Sequence, residues 1–224
     1  LITVSFDDLK QIAGASKGKY IVVSYSAKLN ANASIGQAEP GNTNEVYLEY
    51  SNNPNNGGTG TTPEDKVIVF TYELDVNKVD GNNPSKKLKG AKFKLLNGAK
   101  TQYAKVDDNN KFVEWTDEAN ATELESDENG LFKVIGLDDG TYFLKETMAP
   151  SGYNTLAEPI ELRITADTSN GQYGSRAVTE LKTINVTVDN VTTTPGNVAN
   201  GAVSIEVKNN QGTTLPGTGR IGTT

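Results

Sequence analysis

The chain reads as an all-β protein of two successive β-sandwiches, the first incomplete, followed by a short tail. Three observations predict this. Short runs of alternating apolar and polar residues recur along the chain, clusters of Asp, Asn, Gly and Pro separate them, and no stretch carries a sustained helical period. With 224 residues and 35% hydrophobic side chains, the chain has room for two domains of ordinary size. It reads as heavily solvated rather than as a large enzyme core.

The first sandwich is expected over residues 1–73. Strands are expected at 1–6, 19–29, 45–51 and 66–72, with a short helix in the AspAspLeuLysGlnIle stretch from Asp7. Because residues 1–6 already read as a strand, the chain is expected to begin inside a domain, with a further portion upstream of Leu1. The Asn, Gly and Pro density of residues 52–63 predicts a mobile, turn-rich loop. It does not mark the domain boundary, because 67–72 is too apolar for a free linker and reads as a final strand. Val46, Leu48, Tyr50 and Asn52 share one face, so an amide ends an apolar stripe. An Asn that opens a loop at a strand end accounts for this pattern without any chemistry.

The second sandwich is expected over residues 74–212. Its strands start near Leu74, Ala91, Tyr103, Leu131, Tyr142, Ile160, Leu181 and Val203, with turn clusters at Asp80, Asp107, Asp127 and Asp138. This spacing argues an antiparallel sandwich. The turns at Asp107 and Asp127 lack the ligand spacing of an EF-hand and read as hairpin turns. Residues 172–176, and ThrThrThrProGlyAsn from Thr192, read as polar loops. The chain has no Cys and no His, which removes disulfides, thiol nucleophiles and the commonest general base and metal ligand. No metal and no cofactor is expected. A net charge of −7 argues against nucleic acid or an anionic membrane as a partner.

Strand alternation also places three polar side chains on apolar faces. Leu74, Val76 and Lys78 fall together, as do Tyr142, Leu144 and Glu146, and Val203, Ile205, Val207 and Asn209. Asn210, the neighbouring amide, lies on the polar face with Lys208. For Glu146 alone, a place at a sheet edge or a surface Lys partner is a sufficient explanation, since an unpaired buried carboxylate costs several kcal/mol. The three stripes together suggest more. Desolvation favours a neutral amine and a protonated carboxyl. That is the state needed for Lys78 to attack the side-chain carbonyl of Asn209 and release ammonia, with Glu146 donating a hydrogen bond to that carbonyl and shuttling the proton.

The stretch TyrxLeuxGluxxAlaProxGlyTyr, matched at every fixed position from Tyr142 to Tyr153, resembles the E-box of Gram-positive pilins. The surrounding domain resembles the Cna B-type immunoglobulin-like module. This resemblance implies a spontaneous isopeptide bond between Lys78 and Asn209, with Glu146 as its catalyst. TyrSerAsnAsnPro, followed by ThrProGluAspLysValIleValPheThrTyr, resembles the middle domain of backbone pilins. It implies a second bond at Asn52, or at Asn53, to a Lys upstream of Leu1. LeuProGlyThrGly, formed by Leu215, Pro216, Gly217, Thr218 and Gly219, matches the sorting signal at which a sortase attacks the carbonyl of Thr218. ArgIleGlyThrThr follows where the family more often has another Gly, and the hydrophobic span and basic tail expected beyond it do not follow in this sequence.

These resemblances imply the C-terminal part of a sortase-assembled pilus backbone subunit, extracellular and anchored in the cell wall. Such a protein is structural, with self-directed, single-turnover chemistry rather than enzymatic turnover. The implied partners are sortase, neighbouring pilin subunits joined covalently through Thr218, peptidoglycan and a host-surface ligand. The alternative is the stalk of a cell-wall-anchored adhesin that does not polymerise. A Lys-bearing pilin motif upstream of Leu1 separates the two.

Overall fold

The computed structural model describes residues 2–29, 32–36, 41–53, 55–168 and 180–212. Among these residues the regular elements are strands, apart from one 3-10 turn at Leu9–Gln11. The strands are β1 (Asn42–Val46), β2 (Glu49–Asn53), β3 (Gly58–Thr61), β4 (Asp65–Val69), β5 (Tyr72–Asp80), β6 (Lys92–Asn97), β7 (Tyr103–Val106) and β8 (Phe112–Thr116). They continue with β9 (Leu124–Glu125), β10 (Leu131–Leu137), β11 (Gly140–Met148), β12 (Ile160–Thr168), β13 (Leu181–Val188), β14 (Thr192–Pro195) and β15 (Ala202–Asn209). The all-β class expected from the sequence is the class observed.

The sandwich has one small and one large sheet. The small sheet orders β10, β5 and β15, and the large one runs β14, β13, β12, β11, β6, β7, β8, with β9 paired to β6. Side-chain alternation builds the core between them. On β5 the inward set is Tyr72, Leu74, Val76 and Lys78, and on β15 it is Val203, Ile205, Val207 and Asn209, all buried. Phe93, Leu95, Leu144, Leu162, Ile164, Ile184 and Val186 are buried on strands of the facing sheet. Each such apolar side chain contributes about 1.5 to 3 kcal/mol on leaving water.

The turn clusters work as short carboxylate caps. Asp127 Oδ1 accepts hydrogen bonds from the backbone N–H of Asn129 and Leu131, both at 2.8 Å. Asp107 Oδ1 does the same for Asn109 and Lys111, both at 2.9 Å. The positive φ that such tight turns need falls on Asn110 (62°) and Gly130 (71°).

Several expectations are corrected. The sandwich is not wholly antiparallel: β15 runs parallel to β5, in register from Glu73 opposite Ala202 to Asp80 opposite Asn209. No hairpin joins these two strands, so their direction is not dictated by a turn. The expected strand at 45–51 is broken at Tyr47 and Leu48, and its halves pair with different partners, β1 with β4 and β2 with β3. Val46, Leu48 and Tyr50 are exposed, so the stripe expected to end at Asn52 is not a core stripe. Residues 58–61, expected to be loop, form β3 of that hairpin. Thr192–Pro195 is likewise a strand, a fully exposed edge where a Pro, which has no backbone N–H to donate, is tolerated because among the described residues no further strand pairs beyond it. The short strands β8 and β9 were also missed. The polar-loop expectation for 172–176 lies outside the described residues.

By packing, the chain divides into two units, Leu1–Asn30 and Ala31–Thr224. In the first, the described parts of the expected strands at 1–6 and 19–29 are not strands, and the helix expected from Asp7 is the single 3-10 turn. β-branched and aromatic residues supply strand propensity there, but a strand also needs a ladder partner. In the second unit, Ile68 and Phe70 join Tyr72 and Leu74 in one core cluster.

Candidate functional site

The inward polar residues of three strands meet at one end of the core. Lys78 and Glu146 have fully buried side chains, with Lys78 Nζ 3.6 Å from Glu146 Oε1. Lys78 Nζ also donates to the Val207 carbonyl at 3.2 Å, and it lies 5.8 Å from the centre of the Phe93 ring, which stacks on Phe132. Glu146 Oε2 accepts from Asn209 Nδ2 at 2.9 Å and from the Leu156 backbone N–H at 2.7 Å. Asn209, itself 1% exposed, gives its amide a second acceptor in the Asn154 carbonyl.

Register explains how Lys78 and Asn209 converge. In the β5–β15 ladder Lys78 lies opposite Val207, and Asn209 lies opposite Asp80. The two are diagonal neighbours on the inward face, within reach of a long side chain such as Lys. Glu146 arrives from the other sheet, near the end of β11, opposite Phe93 of β6.

Burial and an opposite charge act on the amine of this cluster in opposing directions. Burial pushes the Lys78 amine down to about 8, against the opposing pull of the Glu146 charge. Two buried side-chain atoms here lack a hydrogen-bond partner, Glu146 Oε1 and Asn209 Oδ1. A buried ion pair is weak evidence for stability, because desolvating both charges costs about as much as their attraction returns. One orientation differs from expectation. Asn209 presents its nitrogen, not its carbonyl oxygen, to Glu146, because the carboxylate and the Asn154 carbonyl are both acceptors and call for the NH₂ end.

Sequence reasoning did not identify Asn154, Leu156, Tyr153 or Asp80 as members of this site. Asn154 and Leu156 act through backbone groups, which leave no side-chain signature. Tyr153 ends the motif that begins at Tyr142, a position with a signal that was legible but unassigned. The other residues predicted from sequence lie elsewhere. Asn52 is exposed on β2, its amide donating to the Thr59 carbonyl at 2.9 Å, and Asn53 ends the same strand. Asn210 is exposed just past the end of β15, and its carbonyl accepts from the Asn154 N–H at 3.0 Å. Leu215, Pro216, Gly217, Thr218 and Gly219 lie outside the described residues.

The fold is a two-sheet β-sandwich of the prealbumin-like class. Residues 72–215 match the family described as SpaA, prealbumin-like fold domain, and the chain belongs to that family. It is similar to the trypsin-resistant surface T6 protein of Streptococcus pyogenes, 30% identical over 153 residues, which is 62% of this chain and 25% of that protein. Among solved structures it is similar to the group B streptococcus pilus 2b backbone protein, with 28% identity, 74% of this chain and 53% of that one covered, and a TM-score of 0.48. Another is BcpA, the major pilin subunit of Bacillus cereus, at 21% identity over 76% of this chain and 38% of that one, with a TM-score of 0.44. The chain thus spans about a quarter of the surface protein and about half of the backbone pilin.

Proposed function

We propose that this chain is part of a structural subunit of a covalently assembled pilus on a Gram-positive cell wall, its sandwich locked by an isopeptide bond between Lys78 and Asn209. The observation that carries this reading is the buried Lys78, Glu146 and Asn209 cluster, in which an amine, a carboxyl and a carboxamide share a water-excluded end of the core. In the reaction, Lys78 passes a proton to Glu146, whose Oε1 faces it, and the freed lone pair attacks Asn209 Cγ. The Cγ–Nδ2 bond then breaks. Glu146 returns that proton to the departing nitrogen, which its Oε2 already holds at 2.9 Å, ammonia leaves, and Glu146 takes up the second proton that Lys78 Nζ sheds as the neutral amide forms. Each molecule reacts once, on itself, so the protein is not a turnover enzyme. Tryptic digestion tests the bond: a branched peptide joining the segment around Lys78 to that around Asn209 is expected. Linear peptides cleaved after Lys78 from the folded wild type would contradict it.

Assembly through sortase is the second half of the reading, and it rests on the LeuProGlyThrGly sequence. A cognate sortase with an amine nucleophile should cut between Thr218 and Gly219 and leave Thr218 joined to the amine. If Thr218→Ala is processed as well as the wild type, the pentapeptide is not a sorting signal. The same reading assigns Asn52 to a further bond with a Lys outside this sequence. Sequence similarity to a streptococcal surface protein supports an extracellular location; the reading itself adds linkage to the cell wall, with sortase, neighbouring subunits, peptidoglycan and a host-surface ligand as partners.

A further inference from the structure

The segment after β11 does more than connect strands, because it returns to the end of β15 and closes over the cluster. Residues 150–153 form a turn, with Tyr153 N–H donating to the Pro150 carbonyl at 3.0 Å. Tyr153 then bridges to Gln211, and Asn154 N–H donates to the Asn210 carbonyl at 3.0 Å, extending the pairing just past β15. One side-chain bond ties this return to β5: Tyr153 Oη donates to Asp80 Oδ2 at 2.7 Å. Asp80 is itself fixed. It is buried, its Oδ1 accepts from the N–H of Asn82 at 2.8 Å and of Asn83 at 3.2 Å, and it lies opposite Asn209 in the ladder. Lys86 Nζ sits 3.8 Å from Asp80 Oδ2 and 5.4 Å from the centre of the Tyr153 ring.

What the return delivers is the Asn154 carbonyl, one of the two acceptors of Asn209 Nδ2. The two acceptors are not equivalent. A protonated carboxyl can donate to an amide oxygen or accept from an amide nitrogen, so Glu146 loses its power to orient the amide once it takes up the Lys78 proton. A backbone carbonyl only accepts, so Asn154 keeps Nδ2 turned toward Glu146 in either protonation state.

We propose that Tyr153 and Asp80 form a latch that positions the Asn154 carbonyl, and through it the leaving nitrogen of Asn209, for crosslink formation. This rests on the isopeptide reading above and assigns two positioning residues to it. The hydrogen bond from Tyr153 holds the Asp80 carboxyl below the usual carboxylate range, so the latch is a bond to an ionised acceptor.

The test is a refolding time course. The full chain, recovered unfolded, is diluted into buffer and sampled by intact mass, with circular dichroism reporting the fold. The wild type should lose ammonia as it folds. Tyr153→Phe keeps the ring and removes only the hydroxyl, and it should reach the wild-type spectrum yet lose ammonia more slowly, on the order of tenfold, as expected for one hydrogen bond to a charged acceptor. Asp80→Asn should slow the step similarly, and the double variant should be no slower than the slower single, because both substitutions open the same latch. A merely structural role would move the folding signal rather than the mass step. Tyr153→Phe crosslinking at the wild-type rate overturns the latch, as does a double variant whose slowing is the product of the singles. A wild type that folds without losing ammonia overturns the crosslink itself, which is a different result.

Discussion

Glu146→Ala should leave the folded chain at its own full sequence mass, whereas the wild type should lie about 17 Da below its own, the mass of the one ammonia that the proposed crosslink releases. The substitution removes the acceptor for the Lys78 proton and the group that returns it to Asn209 Nδ2, and among the described residues no second carboxyl lies against either atom. Electrospray mass of the intact, folded proteins reads the difference directly. An unmodified wild-type mass, or a Glu146→Ala protein that still loses ammonia, would sink the assignment of Glu146. Stability should fall as well. The bond would close a loop of 131 positions (209 − 78), worth on the order of 5 kcal/mol in the chain-entropy account of a crosslink. For a domain of this size that is a melting shift on the order of 10 to 20 °C. Asn209→Ala is the cleaner comparison for stability, because it removes the attacked carbonyl while keeping Lys78 paired with Glu146. Breaking a buried pair would add a further cost of about 3 to 5 kcal/mol.

The second large effect is mechanical. Pulled from its ends, the wild type should show no extension from the segment between Lys78 and Asn209, whereas Asn209→Ala should show one event releasing on the order of 450 Å of chain. Tension entering β5 at Tyr72 runs along that strand to Lys78, crosses to Asn209 and leaves, so everything between those two residues carries no load. Without the bond, the same force falls on the hydrogen bonds of the β5–β15 ladder. Single-molecule force spectroscopy gives the released length. Equal extension in both proteins would mean that the load does not pass through this bond.

Much of the candidate site was legible because its three side chains sit on strands with clean period-two alternation. Lys78, Glu146 and Asn209 each end a run of buried apolar residues, and each is buried. The eight principal strands of the second sandwich were legible for the same reason. What could not be read depends on partners rather than on pattern. Thr192–Pro195 has no apolar face and is a strand only because β13 offers it a ladder. Residues 19–29 have strand-forming side chains, yet their described part forms no strand. The orientation of the Asn209 amide is set by the Asn154 carbonyl and by Glu146, and the first of these contributions is independent of residue type.

The parallel pairing of β5 with β15 also sets an architectural ratio. Because the first and last strands of the sandwich lie side by side in the same direction, the chain enters at the Tyr72 end and departs at the Asn209 end, about one strand length away. Nine residues of β5 at ~3.3 Å each give a step of roughly 30 Å, while the remaining residues of the sandwich fold to the side of that line. Insertions or changes in the loops between β5 and β15 therefore alter girth and surface chemistry without altering the axial repeat. In the proposed assembly, this domain could vary the face it shows to its surroundings while its own contribution along the β5–β15 line stays the same.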